Sequence, residues 1–255
     1  MGCRSSFPGN ESREHHQRRT GCLALGFAAS TLVLLALPVA VARAASLGTI
    51  TAKSLVVVGS AATVSTPSVL GCDNFTGTTG ATMAARAATV AAACSNRVWT
   101  VHVGTWTIQA NQAASSATAD AVTTENTATT NSTARVVLAS LNTGGRSGGL
   151  VISHDGTSSY IAAVMIDATP DRIELRLYSG GVATLLTTIN PTFATTNTLV
   201  LSRSSAVVAV ALNGTSVGSY SLSAAQLTSL GAGTRAGLFG GNASVRFDDF
   251  AVTSP

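Results

Sequence analysis

Beyond about residue 97 the chain alternates between apolar and polar positions. In DRIELRLYS, residues 171–179, Ile173, Leu175 and Leu177 fall on one side, and Arg172, Glu174, Arg176 and Tyr178 fall on the other. A period of two with one apolar side predicts an antiparallel strand with one buried face and one solvated face. Short β-branched runs of the same kind recur as VWTVHV, TWTIQA, ARVVLASL, GLVISH, SYIAAVMID, RIELRLYS, ATLLTTI, TLVLSRS, AVVAVALNG and VRFDDFAV. Turn residues separate them, among them Asp155-Gly156, Gly180-Gly181, Asn213-Gly214 and Gly240-Gly241. Many short strands without a long amphipathic helix between them predict an all-β sandwich of two antiparallel sheets. SAAQLTSLG, residues 223–231, reads as one short helical turn. The Ala-rich stretch 78–96 is open to two readings, a helix by propensity or a covering loop. Residues 45–71 read as a linker or an edge strand, leaving 72–255 as the sandwich domain.

The alternation slips once, in SVRFDDFAV, residues 244–252. Val245 and Phe247 share one parity, whereas Phe250 and Val252 share the other, so one extra residue is inserted at Asp248-Asp249. That is the pattern of a β-bulge, which re-aims side chains and frees backbone carbonyls. Carboxylates beside free carbonyls suit a hard cation such as calcium, and Asp73 in DNF, near the start of the domain, is the candidate third carboxylate. The alternative is a bulge that turns the strand at a sheet rim, with both aspartates solvated.

The first 44 residues belong to a different pattern. A polar region with Arg4, Arg13, Arg18 and Arg19 precedes the uncharged run Gly21–Ala42, and Ala42-Arg43-Ala44 is a small-x-small site. This order predicts a secretory signal peptide cleaved after Ala44, and hence a secreted or cell-surface protein. The apolar run is also long enough to span a bilayer, so an uncleaved signal anchor is the alternative, and the only route to membrane attachment. Residues 45–255 carry Lys53, nine arginines and nine acids, a net charge of +1, so no basic surface for nucleic acid is expected. One lysine against fourteen arginines fits a GC-rich, bacterial coding sequence. Of four cysteines, Cys72 and Cys94 remain beyond the leader; in an oxidising compartment they are expected to pair as a disulfide, with two free thiols as the alternative.

Six stretches resemble the concanavalin A-like lectin/glucanase superfamily, and more narrowly the laminin-G-like jelly rolls of secreted bacterial proteins. They are DNFTG at 73–77, WTVHVGTWTI at 99–108, GGLVISHDGTSSYIAAVMI at 148–166, IELRLYSGG at 173–181, VVAVALNGTSVGSYS at 207–221 and RAGLFGGNASVRFDDFAV at 235–252. The resemblance implies a jelly-roll sandwich with a ligand site on one sheet face or its rim loops, and a structural calcium where the first and last strands meet. Asp73, Asp248 and Asp249 are the residues that would hold it.

Glucanases of this fold carry acids alternating on one strand, and glycoside hydrolysis needs two carboxyls about 5–10 Å apart. No strand here has that arrangement, and no phosphate loop, Gly-x-Ser-x-Gly elbow or Cys/His metal motif occurs. His102 falls on a polar face and His154-Asp155-Gly156 reads as a turn. Asp167 and Asp171 read as solvated hairpin acids, and Glu174 as a surface ion-pair partner of Arg172 and Arg176. The reading is therefore a non-catalytic carbohydrate-binding or adhesive module for a polysaccharide or cell-surface glycan. A structural surface protein without sugar specificity is the alternative, and a glycan hydrolase or lyase a third. Trp99, Trp106, Phe75, Phe247 and Phe250 are expected in the core. Tyr160, Tyr178 and Tyr220 are then the candidates for an aromatic ligand face, Tyr178 foremost because it shares its strand face with Arg172, Glu174 and Arg176; the alternative is a surface tyrosine packed on its neighbours.

Overall fold

A computed structural model of the chain describes residues 66–88, 97–116, 120–139, 141, 145–242 and 245–255. The leader with its cleavage site, most of the 45–71 segment, and Cys94 with its expected pairing lie outside the described residues. Fifteen strands are described: β1 (Val69–Asp73), β2 (Thr100–Val103), β3 (Trp106–Gln109), β4 (Gln112–Ser115), β5 (Ala121–Asn126), β6 (Ser132–Ala139), β7 (Ser147–His154), β8 (Tyr160–Ile166), β9 (Arg172–Ser179), β10 (Val182–Ile189), β11 (Thr196–Ser204), β12 (Val207–Leu212), β13 (Thr215–Ser221), β14 (Arg235–Gly240) and β15 (Arg246–Thr253). One helix, α1 (Ala224–Leu230), lies between β13 and β14.

The strands form two antiparallel sheets, a jelly-roll sandwich. One runs β13-β12-β11-β6-β15-β4-β3, with β1 also paired to β15; the other runs β10-β9-β8-β7-β14-β5-β2. The ten runs with clear alternation are all strands. Five more, β1, β4, β5, β13 and β14, carry weaker patterns. β1 starts at Val69, ahead of the boundary expected at Cys72, and the first and last strands meet with Asp73 opposite Phe250.

The sequence explains the local geometry. Asn213 and Gly214 have φ of 51° and 82° and form the two-residue turn between β12 and β13, a conformation these residues adopt at little cost. Ser223 caps α1 through a reciprocal pair: its Oγ accepts from Gln226 N (3.2 Å), and Ser223 N donates to Gln226 Oε1 (2.8 Å). The Ala-rich stretch, where described, is a covering loop: Gly80 N donates to Ile108 O (2.8 Å), Met83 N to Trp106 O (2.9 Å) and Ala85 N to Trp99 O (3.1 Å).

Between the sheets lies one apolar core, built from Val136 and Leu138 of β6, Leu199 and Leu201 of β11, Ile161 and Met165 of β8, and Ile173 and Leu175 of β9. Trp99 packs between Phe75 (5.6 Å) and Phe250 (5.1 Å), and Trp106 against Phe247 (5.6 Å). All five aromatics expected in the core are buried there. A second, smaller cluster covers the opposite face of the seven-stranded sheet: Val122, Val151, Ala162, Val164, Phe239, Tyr160 and Tyr178.

Candidate ligand-binding site

The bulge in β15 is present. The register against β6 shifts between Asp248 and Ala251, and Asp249 has φ 47°. Asp249 is exposed, and its backbone N–H donates to Asp248 Oδ1 (2.9 Å). Burial raises the Asp248 pKa. The expected three-carboxylate ligand set is not assembled. Asp73 is buried with both oxygens in use: Oδ1 accepts from Phe75 N (2.8 Å), and Oδ2 accepts from Trp99 Nε1 (2.9 Å) and Arg86 Nε (3.2 Å). Arg86 neutralises its charge, and a groove beside it, shared with Asp249, is also lined by the cationic Arg135. Among the described residues no group of three or more His, Cys, Asp or Glu is placed to hold a metal ion.

On β9 the polar side chains share one face as expected. Glu174 bridges its neighbours, accepting from Arg172 Nε (2.8 Å) and Arg176 Nη2 (2.7 Å). Burial alone would raise its pKa; the two guanidinium hydrogen bonds and charges outweigh it and hold the carboxyl below its usual range. Tyr160 and Tyr178 differ from expectation. They are not an exposed platform; they are 5% and 4% exposed and stacked on each other at 4.3 Å and 14°. The Tyr178 hydroxyl donates to Asp120 Oδ2 (2.6 Å), and Arg176 Nη1 donates to the Tyr178 hydroxyl (3.4 Å). Burial, and then the bond to Asp120, push the Tyr178 pKa up to about 12. Neither tyrosine offers an exposed ring face for stacking.

Two histidines extend the stack. The His154 ring lies 5.1 Å from Tyr160, and His102 lies 4.1 Å from His154, giving the order His102–His154–Tyr160–Tyr178 along the face. Strict alternation from Leu150 and Ile152 would send His154 into the core. A register shift between β14 and β7, with Ser153 at φ 53°, turns it to the other face instead. Gly156 N donates to His154 Nδ1 (2.8 Å), so the neutral ring carries its proton on Nε2, which is buried without a partner. Burial, then the neighbouring His102, lower the His154 pKa to about 4. His102 Nε2 lies 2.8 Å from Thr124 Oγ1; burial and then the Arg235 charge lower its pKa too.

Beside the stack is a cavity of about 200 Å³. His154, Tyr160 and Tyr178 form its wall, Asp120 and Val103 its side, and Thr157, Ser158 and Gly181 its rim. Asp155 fixes the rim loop: its Oδ1 accepts from Thr157 N (2.7 Å), Ser158 N (2.9 Å) and Ser159 N (3.1 Å). Burial opposes ionisation of Asp155, but these hydrogen bonds outweigh it and hold its pKa at about 2. Of the expected ligand residues, Tyr160 and Tyr178 reach the cavity, whereas Arg172, Glu174 and Arg176 do not line it. Asp120, His154, Thr157 and Ser158 were not legible as site residues in the sequence. Asp167 and Asp171, expected to be solvated, are tied into the fold: Asp167 is 9% exposed, and Asp171 accepts from Phe193 N (2.8 Å).

A further buried carboxyl lies apart from this face. Glu125, in β5, is 0% exposed, and neither of its oxygens has a hydrogen-bond partner. It presses on β1, where a Cβ at Gly71 would sit 1.9 Å from Glu125 Oε1. Burial is the main cause that raises its pKa to about 8.

No protein-family model matches this chain, and no curated protein is similar to it in sequence. Among solved structures the chain is similar to a carbohydrate-binding module, CBM66, from Bacillus subtilis, with 16% identity over 61% of this chain and 91% of that one, and a TM-score of 0.44. The CBM2 module of the evolved Dit of Lactobacillus casei BL23 phage J-1 has 10% identity over 74% of this chain and 96% of that one, at 0.48. A Bacillus subtilis protein of unknown function with a galectin-like fold has 11% identity, 61% and 90% coverage, and 0.41. At these identities and TM-scores the likenesses carry no argument about this chain, neither for its fold nor for a ligand.

Proposed function

We propose that the protein is an exported, non-catalytic carbohydrate-binding or adhesive module acting at or outside the cell surface. The observation that carries this reading is the cavity of about 200 Å³, where an aromatic wall, one carboxylate and several hydroxyls converge. Few, fixed polar groups set against apolar walls are what orient a sugar ring and select among its hydroxyls. Asp120 accepts from sugar hydroxyls, Thr157 and Ser158 donate or accept, and the tyrosine edges pack on C–H faces. Asp120 is the only carboxylate lining this cavity among the described residues, whereas glycoside hydrolysis uses two. Export rests on the leader pattern in residues 1–44, and the same compartment favours a Cys72–Cys94 disulfide.

Binding of the purified protein to a panel of polysaccharides and oligosaccharides tests this. Saturable binding weakened at least tenfold in Asp120→Asn is expected. Release of reducing ends from any bound glycan would instead make the protein a hydrolase or lyase.

A further inference from the structure

The polar groups around the cavity are not evenly divided between hydrogen-bond donors and acceptors. Asp120 lines it and is exposed. Its Oδ2 accepts from the Tyr178 hydroxyl (2.6 Å), whereas its Oδ1 accepts no hydrogen bond among the described residues. The Tyr178 hydroxyl gives its single proton to Asp120, so toward a ligand it can only accept. Thr157 lies on the rim, and its hydroxyl donates to Asp155 Oδ2 (2.8 Å), which leaves only its lone pairs for a ligand.

The backbone of the rim has the same bias. Successive N–H groups of a turn are what cradle an anion. Here they are already taken: Gly156 N donates to His154 Nδ1 (2.8 Å), and the N–H groups of Thr157 (2.7 Å), Ser158 (2.9 Å) and Ser159 (3.1 Å) all donate to Asp155 Oδ1. The turn therefore encloses a negative charge of its own. No arginine or lysine lines the cavity among the described residues. The two arginines that act on its walls are engaged. Arg176 is held by Glu174 (2.7 Å) and reaches the Tyr178 hydroxyl only at 3.4 Å, and Arg235 donates to the hydroxyls of Thr124 and Thr100. Burial, then the neighbouring His102, hold His154 neutral, with a pKa of about 4. The lining thus offers one open carboxylate oxygen and no positive charge.

We infer that the sugar this cavity takes carries an unacylated amine, bound as an ammonium group on Asp120 Oδ1 with neighbouring hydroxyls donating to Thr157 and Tyr178. The inference rests on the carbohydrate reading above and narrows it to the amino sugars of de-N-acetylated glycans. An ammonium group supplies three donors, one positive charge and no acceptor, so it complements a lining that accepts. A uronate or a sulfated sugar brings a second anion to Asp120, with no cation or free turn amide to receive it. An N-acetylated sugar keeps one N–H but loses the charge, and its acetyl group competes for a cavity of about 200 Å³ that has room for little more than one sugar ring.

Calorimetric titration at about pH 6 tests this, since a sugar amine keeps its proton there and His154 stays neutral. The probes are short oligosaccharides of glucosamine, galactosamine and mannosamine, each with its amine free and with it acetylated, and the corresponding uronic-acid oligosaccharides. At least one free-amine probe is expected to bind at least tenfold more tightly than its acetylated and uronate counterparts, as opposite charges in contact at a partly shielded site provide. Raising the salt to about 0.5 M should weaken that binding several-fold. Asp120→Asn, at an exposed position, should bring the free and acetylated probes within about threefold of each other, with unchanged near-UV circular dichroism. An acetylated or acidic probe bound as tightly as every free-amine probe, amine binding that ignores salt, or a preference for the amine that survives Asp120→Asn would overturn the inference and leave the carbohydrate reading standing. A folded protein that binds none of these probes overturns it as well, and the carbohydrate reading falls with it only if neutral glycans are not bound either.

Discussion

The Tyr178 hydroxyl donates to the Asp120 carboxylate at 2.6 Å, across 58 residues of sequence. One end of this bond is buried and the other is exposed, so it anchors an accessible acceptor to the rigid sheet. Tyr178→Phe removes the anchor and leaves the ring stack in place. The expected result is a loss of about 1 kcal/mol in stability, and a larger relative loss in glycan affinity. Urea unfolding together with calorimetric titration separates the two.

Glu125 makes the fold lose stability as pH rises from the mildly acidic range to about 8. Its pKa in the folded state is about 8, above the ordinary value of 4.5. The folded state therefore holds a proton that the unfolded chain has released. Stability is fully present below about pH 4.5 and is lost as pH rises through about 8, by up to about 1.4 kcal/mol per pH unit inside that window. Glu125→Gln should flatten this decline, and the melting temperatures of both proteins at pH 5, 7 and 9 check it.

The histidine pair acts in the opposite direction. His154 is held neutral, with a pKa near 4 against an ordinary 6.5. Its contribution is present above pH 6.5 and is lost as pH falls through 4, when a charge would be forced between His102 and Tyr160. His154→Gln should reduce the loss of stability between pH 6.5 and 4, measured by thermal unfolding. The wild type should be most stable in the mildly acidic range between the two effects.

Asp73 does structural work where a cation was expected. Removing it by Asp73→Ala takes the ion-pair partner from Arg86, which keeps its bond to the Thr76 carbonyl, and the acceptor from the Trp99 N–H. The expected cost is about 3–5 kcal/mol, with Asp73→Asn intermediate. Calcium or a chelator should leave the wild-type melting temperature unchanged.

The sheets were legible because most strands bury one side and wet the other, as Ile173, Leu175 and Leu177 do against Arg172, Glu174 and Arg176. The β15 bulge was legible for the same reason, since apolar parity changes at Asp248-Asp249. The site was not. His154 reaches it only because Ser153 at φ 53° breaks the alternation, and a bulge that exchanges one polar residue for another leaves no trace in an apolar pattern. Asp120 lies before a strand, far in sequence from the tyrosines it joins. β5, with Thr123 and Glu125 buried, offers no apolar alternation at all. The burial of Tyr160 and Tyr178 came from tertiary stacking, and strand parity alone indicated an outward face.

The central claim is that the cavity beside Asp120 and Tyr178 binds sugar. The most direct test is a glycan panel titrated against wild type, Asp120→Asn and, as an exposed control on the other sheet, Val207→Lys in parallel. The account predicts saturable binding to at least one glycan, weakened at least tenfold in Asp120→Asn and unchanged in Val207→Lys. Saturable binding that Asp120→Asn leaves intact, or a folded wild type that binds no glycan in the panel, would contradict it.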